Sequence, residues 1–263
     1  MAPEVLVPSS PAEAVSLFGD GASTTVIGGG TIVVPEMTLG LLSPDRVLLL
    51  SQAGLEGVTV DGDTITIGAT TPINDLLGLA EQSQALADCA ENLADYEIRG
   101  QGTVGGNLCV GQGAEAPRGD LQGALLALDA QVRSAGADGE TTEPIEDFLS
   151  HRQGRLVLDV SFQRPAASAF SALEYPHTHE YTVLAVTGVR AADGIVRLAA
   201  TGLAGSGARL RSAEAVASDI EAAGNAASED VSFADDALAS AWYREQTLPV
   251  LVRRVLTQLE ESA

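Results

Sequence analysis

Between Ile98 and Asp120 the chain runs Ile98-Arg99-Gly100-Gln101-Gly102-Thr103-Val104-Gly105-Gly106-Asn107-Leu108-Cys109 and then into a polar loop, with four glycines inside seven positions. Glycine has no side chain and tolerates positive φ, so such a stretch folds tightly and lets another group lie against its main chain. Consecutive N–H groups in a turn of this kind converge on an anion. Thr103 and Asn107 add short polar side chains, and Arg99 a fixed positive charge. Too little of it is apolar to serve as core. Two readings follow: an irregular surface loop, or an anion cradle.

The spacing Gly100-x-Gly102-x-x-Gly105 also fits the dinucleotide fingerprint of the Rossmann fold. That fingerprint needs a hydrophobic strand before it and a helix after it. Here Asn92-Leu93-Ala94-Asp95-Tyr96-Glu97 precedes it and Gly106, Asn107, Gly111 and Gly113 follow, so the Rossmann reading fails. A second cluster, Gly28-Gly29-Gly30-Thr31 followed by the apolar turn Ile32-Val33-Val34-Pro35, stands directly after the strand Thr24–Ile27. It is either another cradle or a plain strand-end turn.

Around these clusters the pattern is mixed α+β. Ser10 and Pro11 open a short helix that ends near Gly19, with the serine as N-cap and the proline at the first helical position. Arg46–Leu50 reads as a buried strand, and 58–67 as a hairpin turning on Asp61-Gly62. Helices are expected from Thr71-Pro72 to Leu79, from Gln84 to Leu93, and from Leu121 to Leu128 with Asp120 at its start. Strands are expected at Gln131–Ser134 and Leu156–Phe162. Arg164–Ser168 reads as a junction, placing one domain over 1–165 and a second over 166–263. Beyond it come strands at Tyr181–Arg190 and Ile195–Leu203, then helices at 212–223, 234–243 and 248–261. In the last helix Leu248, Leu251, Val252, Val255, Leu256 and Leu259 form a core stripe at helical spacing.

Composition narrows the function. The 263 residues are 45 % hydrophobic, enough for a sizeable core, and no apolar run approaches the ~20 residues of a membrane helix. The first residues have no basic or apolar signal region, so a cytoplasmic protein is expected. The net charge is −22 and every basic residue other than the histidines is arginine. Such a surface repels nucleic acid and anionic membrane. Cys89 and Cys109 are too few for an iron–sulfur cluster or a structural zinc, and are read as small buried residues. His177 and His179 suggest a metal pair but lack a third ligand nearby, and loop histidines are the simpler reading.

The two clusters, in this order and separation, resemble the FAD-binding subunits of molybdenum hydroxylases: the medium chain of carbon monoxide dehydrogenases and the flavin domain of xanthine dehydrogenases. Gly28-Gly29-Gly30-Thr31-Ile32-Val33-Val34-Pro35 is similar to that family's first motif. Arg99-x-x-Gly102-Thr103-Val104-Gly105-Gly106-Asn107-Leu108 matches its second. Pro117-x-x-Asp120 with the helix to Ala130 resembles the continuation, and Tyr243-Arg244 with Leu251-Val252-Arg253-Arg254 the closing helix. The resemblance implies two small α/β subdomains holding FAD, then a C-terminal domain with a small antiparallel sheet and helices.

By that resemblance Gly28, Gly29, Gly30, Thr31 and Ile32 approach the FAD diphosphate from one loop, and Thr103, Gly105, Gly106 and Asn107 from the other. Asp120 accepts hydrogen bonds from flavin hydroxyls. No side chain is nominated as a catalytic acid or base. The implied partners are a small subunit with [2Fe–2S] clusters and a large molybdopterin subunit, with NAD, a quinone or oxygen as acceptor. The sequence departs from the family at Gly100, at Ile32 (a polar residue is common there), and over Glu174–His179, where the family carries basic residues. Two rival readings remain: a stand-alone FAD-dependent oxidase or reductase, and a scaffold whose flavin site has decayed.

Overall fold

The structure, a computed structural model, describes residues 3–110, 119–173 and 182–262. In chain order its elements are β1 (Glu4–Leu6), α1 (Pro11–Phe18), β2 (Thr25–Ile27), α2 (Val33–Thr38), β3 (Arg46–Leu49), β4 (Val58–Asp61), β5 (Thr64–Gly68), α3 (Gln84–Asn92), α4 (Tyr96–Gln101), α5 (Val104–Leu108), α6 (Leu121–Ala127), β6 (Gln131–Gly136), β7 (Gly139–Pro144), α7 (Ile145–His151), β8 (Leu156–Gln163), β9 (Ala167–Leu173), β10 (Leu184–Arg190), β11 (Val196–Thr201), β12 (Ala208–Arg209), α8 (Arg211–Ala215), α9 (Ile220–Ala226) and α10 (Ala241–Glu261). The α+β expectation holds. Two compact units result. One takes Met1–Ile73, Tyr96–Cys109 and Gln131–Ser161; the other takes Asn74–Asp95, Val110–Ala130 and Phe162–Ala263.

In the first unit Ser10 caps α1 by accepting from the Glu13 amide (3.2 Å), Pro11 sits in its first turn, and Gly19 ends it with φ +63°. Helix α1 buries Ala14 and Phe18 in a core with Leu48, Leu50, Leu55, Ala135, Leu156 and Leu158. Both sheets of the unit contribute to that core. One is parallel, in the order β1-β3-β2; the other runs β4-β5-β8-β6-β7. The β4–β5 hairpin pairs Asp61 with Thr64 across Gly62, whose φ of +60° is the conformation that an Asp-Gly turn supplies.

The second unit is built on the antiparallel sheet β12-β11-β10-β9. Side chains alternate between the two faces of a strand. Leu184 and Val186 of β10 and Leu198 and Ala200 of β11 face one way, into a core with Leu248, Leu251, Val252, Val255, Leu256 and Leu259 of α10. Each such side chain contributes about 1.5–3 kcal/mol when fully buried. A Cβ at Gly188 would run into Val255, so only glycine lets α10 lie this close to β10. On the opposite face, α3 packs on β9 and α6 on β10 and β11. Both faces of β10 are therefore covered, and its residues are buried on both sides from Leu184 to Val189.

Several expectations change. Val33–Thr38 is a helix, not a turn, and 73–79 is a 3-10 helix. The second glycine stretch is helical on both sides of Gly102, as α4 and α5. The junction at 164–168 runs straight into β9, and β7 and α7 were not foreseen. The two last expected helices are one: α10 spans Ala241–Glu261 with Pro249 inside it, while 234–240 is irregular. A proline inside a helix removes one main-chain bond; the apolar stripe around it, from Leu248 to Leu259, offsets that loss. Among the described residues no helix is long and apolar enough to cross a membrane.

Candidate functional site

Strand β2 lies parallel beside β3 and stops at Ile27, so the chain leaves the sheet at Gly28. Gly30 turns it with φ +75°, a value that strains any other residue. The Val34 amide bonds to the Gly30 carbonyl (3.1 Å), so α2 begins directly off the loop. Among the described hydrogen bonds, none takes the amides of Gly29, Gly30, Thr31 or Ile32. Ile32 stands at the N-cap with no side-chain hydrogen bond, and what it offers is its main chain.

The second motif is organised differently. The Gly102 amide donates to Ile98 O (2.6 Å) at the end of α4, and Thr103 then caps α5, its hydroxyl accepting from the Gly106 amide (3.2 Å). The Val104 amide goes to Thr71 O (3.1 Å), that of Gly105 to Ala69 O (2.8 Å), and that of Asn107 to Thr103 O (2.9 Å). These amides do not converge on an outside anion, contrary to the sequence expectation. Carbonyls of the segment after β5 have taken those of Val104 and Gly105, and acceptors within the motif the rest. The motif still holds the buried Thr103 hydroxyl and Asn107 side chain beside the exposed Cα of Gly106.

The two loops abut within this unit. A Cβ on Gly28 would come 2.6 Å from Thr103 Oγ1, and one on Gly29 would collide with the Gln101 carbonyl. One on Gly105 would sit 2.9 Å from Ala69 Cβ. Packing alone requires these three glycines. Gly106 is different: it is exposed, and a Cβ there would meet only Thr103 Oγ1, at 2.9 Å. Gly106 therefore leaves its main chain open to close approach by another group. Amides without a protein acceptor, two hydroxyls and a bare Cα beside them fit a diphosphate, which needs many donors and close main-chain approach.

Asp120 belongs to the other unit and is 5 % exposed. Its main chain is already helical (φ −62°, ψ −34°), so its carboxylate makes no cap on α6, the simplest role for an acid at a helix start. The turn it occupies is tied down on two sides. The buried Cys89 thiol donates to Asp120 O (3.5 Å), and the buried Gln122 amide oxygen accepts from the Gly207 N–H (2.9 Å). Burial, with the Asp120 and Asp88 carboxylates adding to it, pushes the Cys89 thiol well above the ordinary range and keeps it a proton donor. Cys109, expected buried, is exposed at the end of α5. Among the described residues no His, Cys, Asp and Glu cluster of three or more could hold a metal. Glu174–His179, with both histidines of the suggested pair, and Pro117 lie outside the described residues.

Missing from the sequence reading were α2 and the acceptor segment Ala69–Thr71. Pro35 followed by Glu36 near the start of an apolar run was the available signal for the helix; nothing local marks the acceptors.

Paired glycine loops without a Rossmann crossover define a dinucleotide-cofactor protein of another class. The chain belongs to the family described as the FAD binding domain in molybdopterin dehydrogenase, which matches residues 2–162. It is 26 % identical over 280 residues to the 6-hydroxypseudooxynicotine dehydrogenase complex subunit alpha of Paenarthrobacter nicotinovorans, covering 97 % of this chain and 93 % of that one. To the carbon monoxide dehydrogenase medium chain of Hydrogenophaga pseudoflava it is 30 % identical over 151 residues, covering 56 % of this chain but only 51 % of that relative. The solved carbon monoxide dehydrogenase of the same organism superposes with a TM-score of 0.88 at 25 % identity, covering 100 % of this chain and 99 % of that one. The protein is thus an FAD-binding flavoprotein component of the molybdenum-containing dehydrogenases and hydroxylases, and its cofactor is FAD.

Proposed function

We propose that this chain carries electrons between a [2Fe–2S] small subunit, fed by a molybdopterin large subunit, and NAD, a quinone or oxygen. When bound, the isoalloxazine of FAD supplies the redox chemistry, and the protein supplies position and environment. The amides of Gly29, Gly30, Thr31 and Ile32 and the hydroxyls of Thr31 and Thr103 hold the diphosphate. Gly28 and Gly29 let the two loops abut, Gly105 seats the second loop on Ala69, Gly106 leaves the approach open, and Asn107 and Asp120 bond cofactor oxygens or hydroxyls. Residues 1–165 act as the cofactor-binding part and 166–263 as the C-terminal part. The chain works in the cytoplasm, the compartment that keeps thiols such as Cys89 and Cys109 reduced. The observation that carries the reading is the pair of abutting loops with open donors in a chain of this family.

Co-purification tests it. A tagged chain should bring down an iron–sulfur and a molybdopterin subunit, and the organic or inorganic substrate should bleach flavin absorbance only in the assembled complex. Complete turnover of such a substrate by the isolated chain would refute the reading and favour a stand-alone flavoenzyme.

The role of Asp120 has its own check. Asparagine is isosteric with aspartate, so Asp120→Asn should keep the fold and move Tm by only a few degrees, on the order of 1 kcal/mol. A charged hydrogen bond is worth about 1.5–3 kcal/mol, so FAD affinity should fall roughly ten- to a hundredfold. Unchanged affinity by fluorescence titration would remove Asp120 from the site.

A further inference from the structure

The protein holds 36 acidic side chains against 14 arginines and no lysine. The excess is not local. Fifteen carboxylates face five arginines in the first unit, and twenty-one face nine in the second. In the first unit Arg46 pairs with Glu4, Arg133 with Glu140 and Asp159, and Arg155 with Asp138. Much of its positive charge is therefore already neutralised. Among the described residues, the donors that the two glycine loops themselves offer are main-chain amides and hydroxyls, all neutral. The one arginine in the second motif is Arg99, on α4.

FAD is an anion. Hydrogen bonds at contact distance attract its diphosphate, while the charge of the whole molecule repels it. These two forces respond differently to salt. Contact hydrogen bonds are screened little, but the long-range field collapses as the Debye length shrinks from about 10 Å at 0.1 M to about 3 Å at 1 M. An anion site made of lysine and arginine loses affinity over that range. A site of neutral donors in a molecule of net charge −22 must do the reverse.

We infer that ionic strength controls flavin loading: the chain takes up FAD faster and more tightly as salt rises. This rests on the flavin reading above and adds its regulation. Uptake is the affected step, because like-charge repulsion acts mainly on encounter. At low salt the folded chain stays partly empty, and raising the salt fills it without any change in the contacts.

The test titrates the full apoprotein with FAD in KCl from about 0.1 to about 1 M, with stopped-flow association rates and circular dichroism at each point. Neutral riboflavin serves as the probe that lacks the diphosphate. The Kd for FAD should fall about tenfold, mostly through a faster association rate, while the dichroism stays native and riboflavin responds little. An FAD Kd that is flat or rises with salt overturns the inference and leaves the flavin site intact. An equal response of riboflavin also overturns it, since the effect would then be apolar. No FAD binding at any salt sinks the flavin reading itself and this inference with it.

Discussion

Gly106→Val should yield a folded protein that purifies almost colourless. A Cβ there displaces only the Thr103 hydroxyl, so the fold loses at most the α5 cap, about 1 kcal/mol. The branched side chain then stands where the diphosphate lies against the main chain. Losing two charged hydrogen bonds at about 1.5–3 kcal/mol each raises the Kd for FAD by at least about a hundredfold. Gly29→Val is the contrasting variant. Its side chain would collide with the Gln101 carbonyl, which cannot rotate away, so this protein should misfold and never reach the binding assay. Wild-type flavin content in Gly106→Val would show that the cofactor does not approach this loop.

A large loss of stability in a protein that still folds should come from Arg244→Ala, at a residue with no proposed role in flavin binding. Arg244 is 1 % exposed. Its guanidinium donates to the carbonyls of Val183 (3.1 Å), Ala234 (2.6 Å) and Ala239 (3.0 Å) and to Asp236 Oδ1 (2.7 Å). It thereby ties α10 to the start of β10 and organises the irregular segment 234–240. Removing it leaves a buried Asp236 carboxylate without its cation, at a cost of about 3–5 kcal/mol. Thermal unfolding followed by circular dichroism should drop on the order of 10 °C. A loss below about 2 °C would show that Asp236 finds another partner.

What could be read from the sequence was what is locally determined. Helix α1 announced itself through Ser10, Pro11 and Gly19, the hairpin through Asp61-Gly62, and α10 through its apolar stripe. The misreadings share a cause: the deciding partner lies elsewhere in the chain. Glycines at 100, 102, 105 and 106 look like helix breakers, yet α5 forms because Thr71 and Ala69 carbonyls anchor its first turn. The stretch Arg164–Ser168 reads as a junction, and its last residues, Ala167 and Ser168, already belong to β9, which pairs along its whole length with β10. Asp120 looks like a cap, but capping needs extended main chain, and here it is helical. The glycine motifs themselves were plain in the sequence. Which glycines serve the fold and which leave room for a ligand required seeing the neighbours of each missing Cβ.

The path of the chain through its two units has a consequence for dissection. It passes from one to the other at residues 73/74, 95/96, 109/110, 130/131 and 161/162. Helices α3 and α6 lie in the segment matched to the flavin family, yet the sheet that covers their apolar sides is completed only after residue 167. A fragment ending at 162 would carry both glycine loops and still expose Leu86, Ala90, Leu121 and Leu125 to water. During synthesis these helices must wait for the C-terminal half before they can bury those residues. The boundary by which cofactor binding is recognised in sequence is therefore not a line along which the protein can be cut, and gene fusions or truncations at that point should fail for reasons of folding rather than of chemistry.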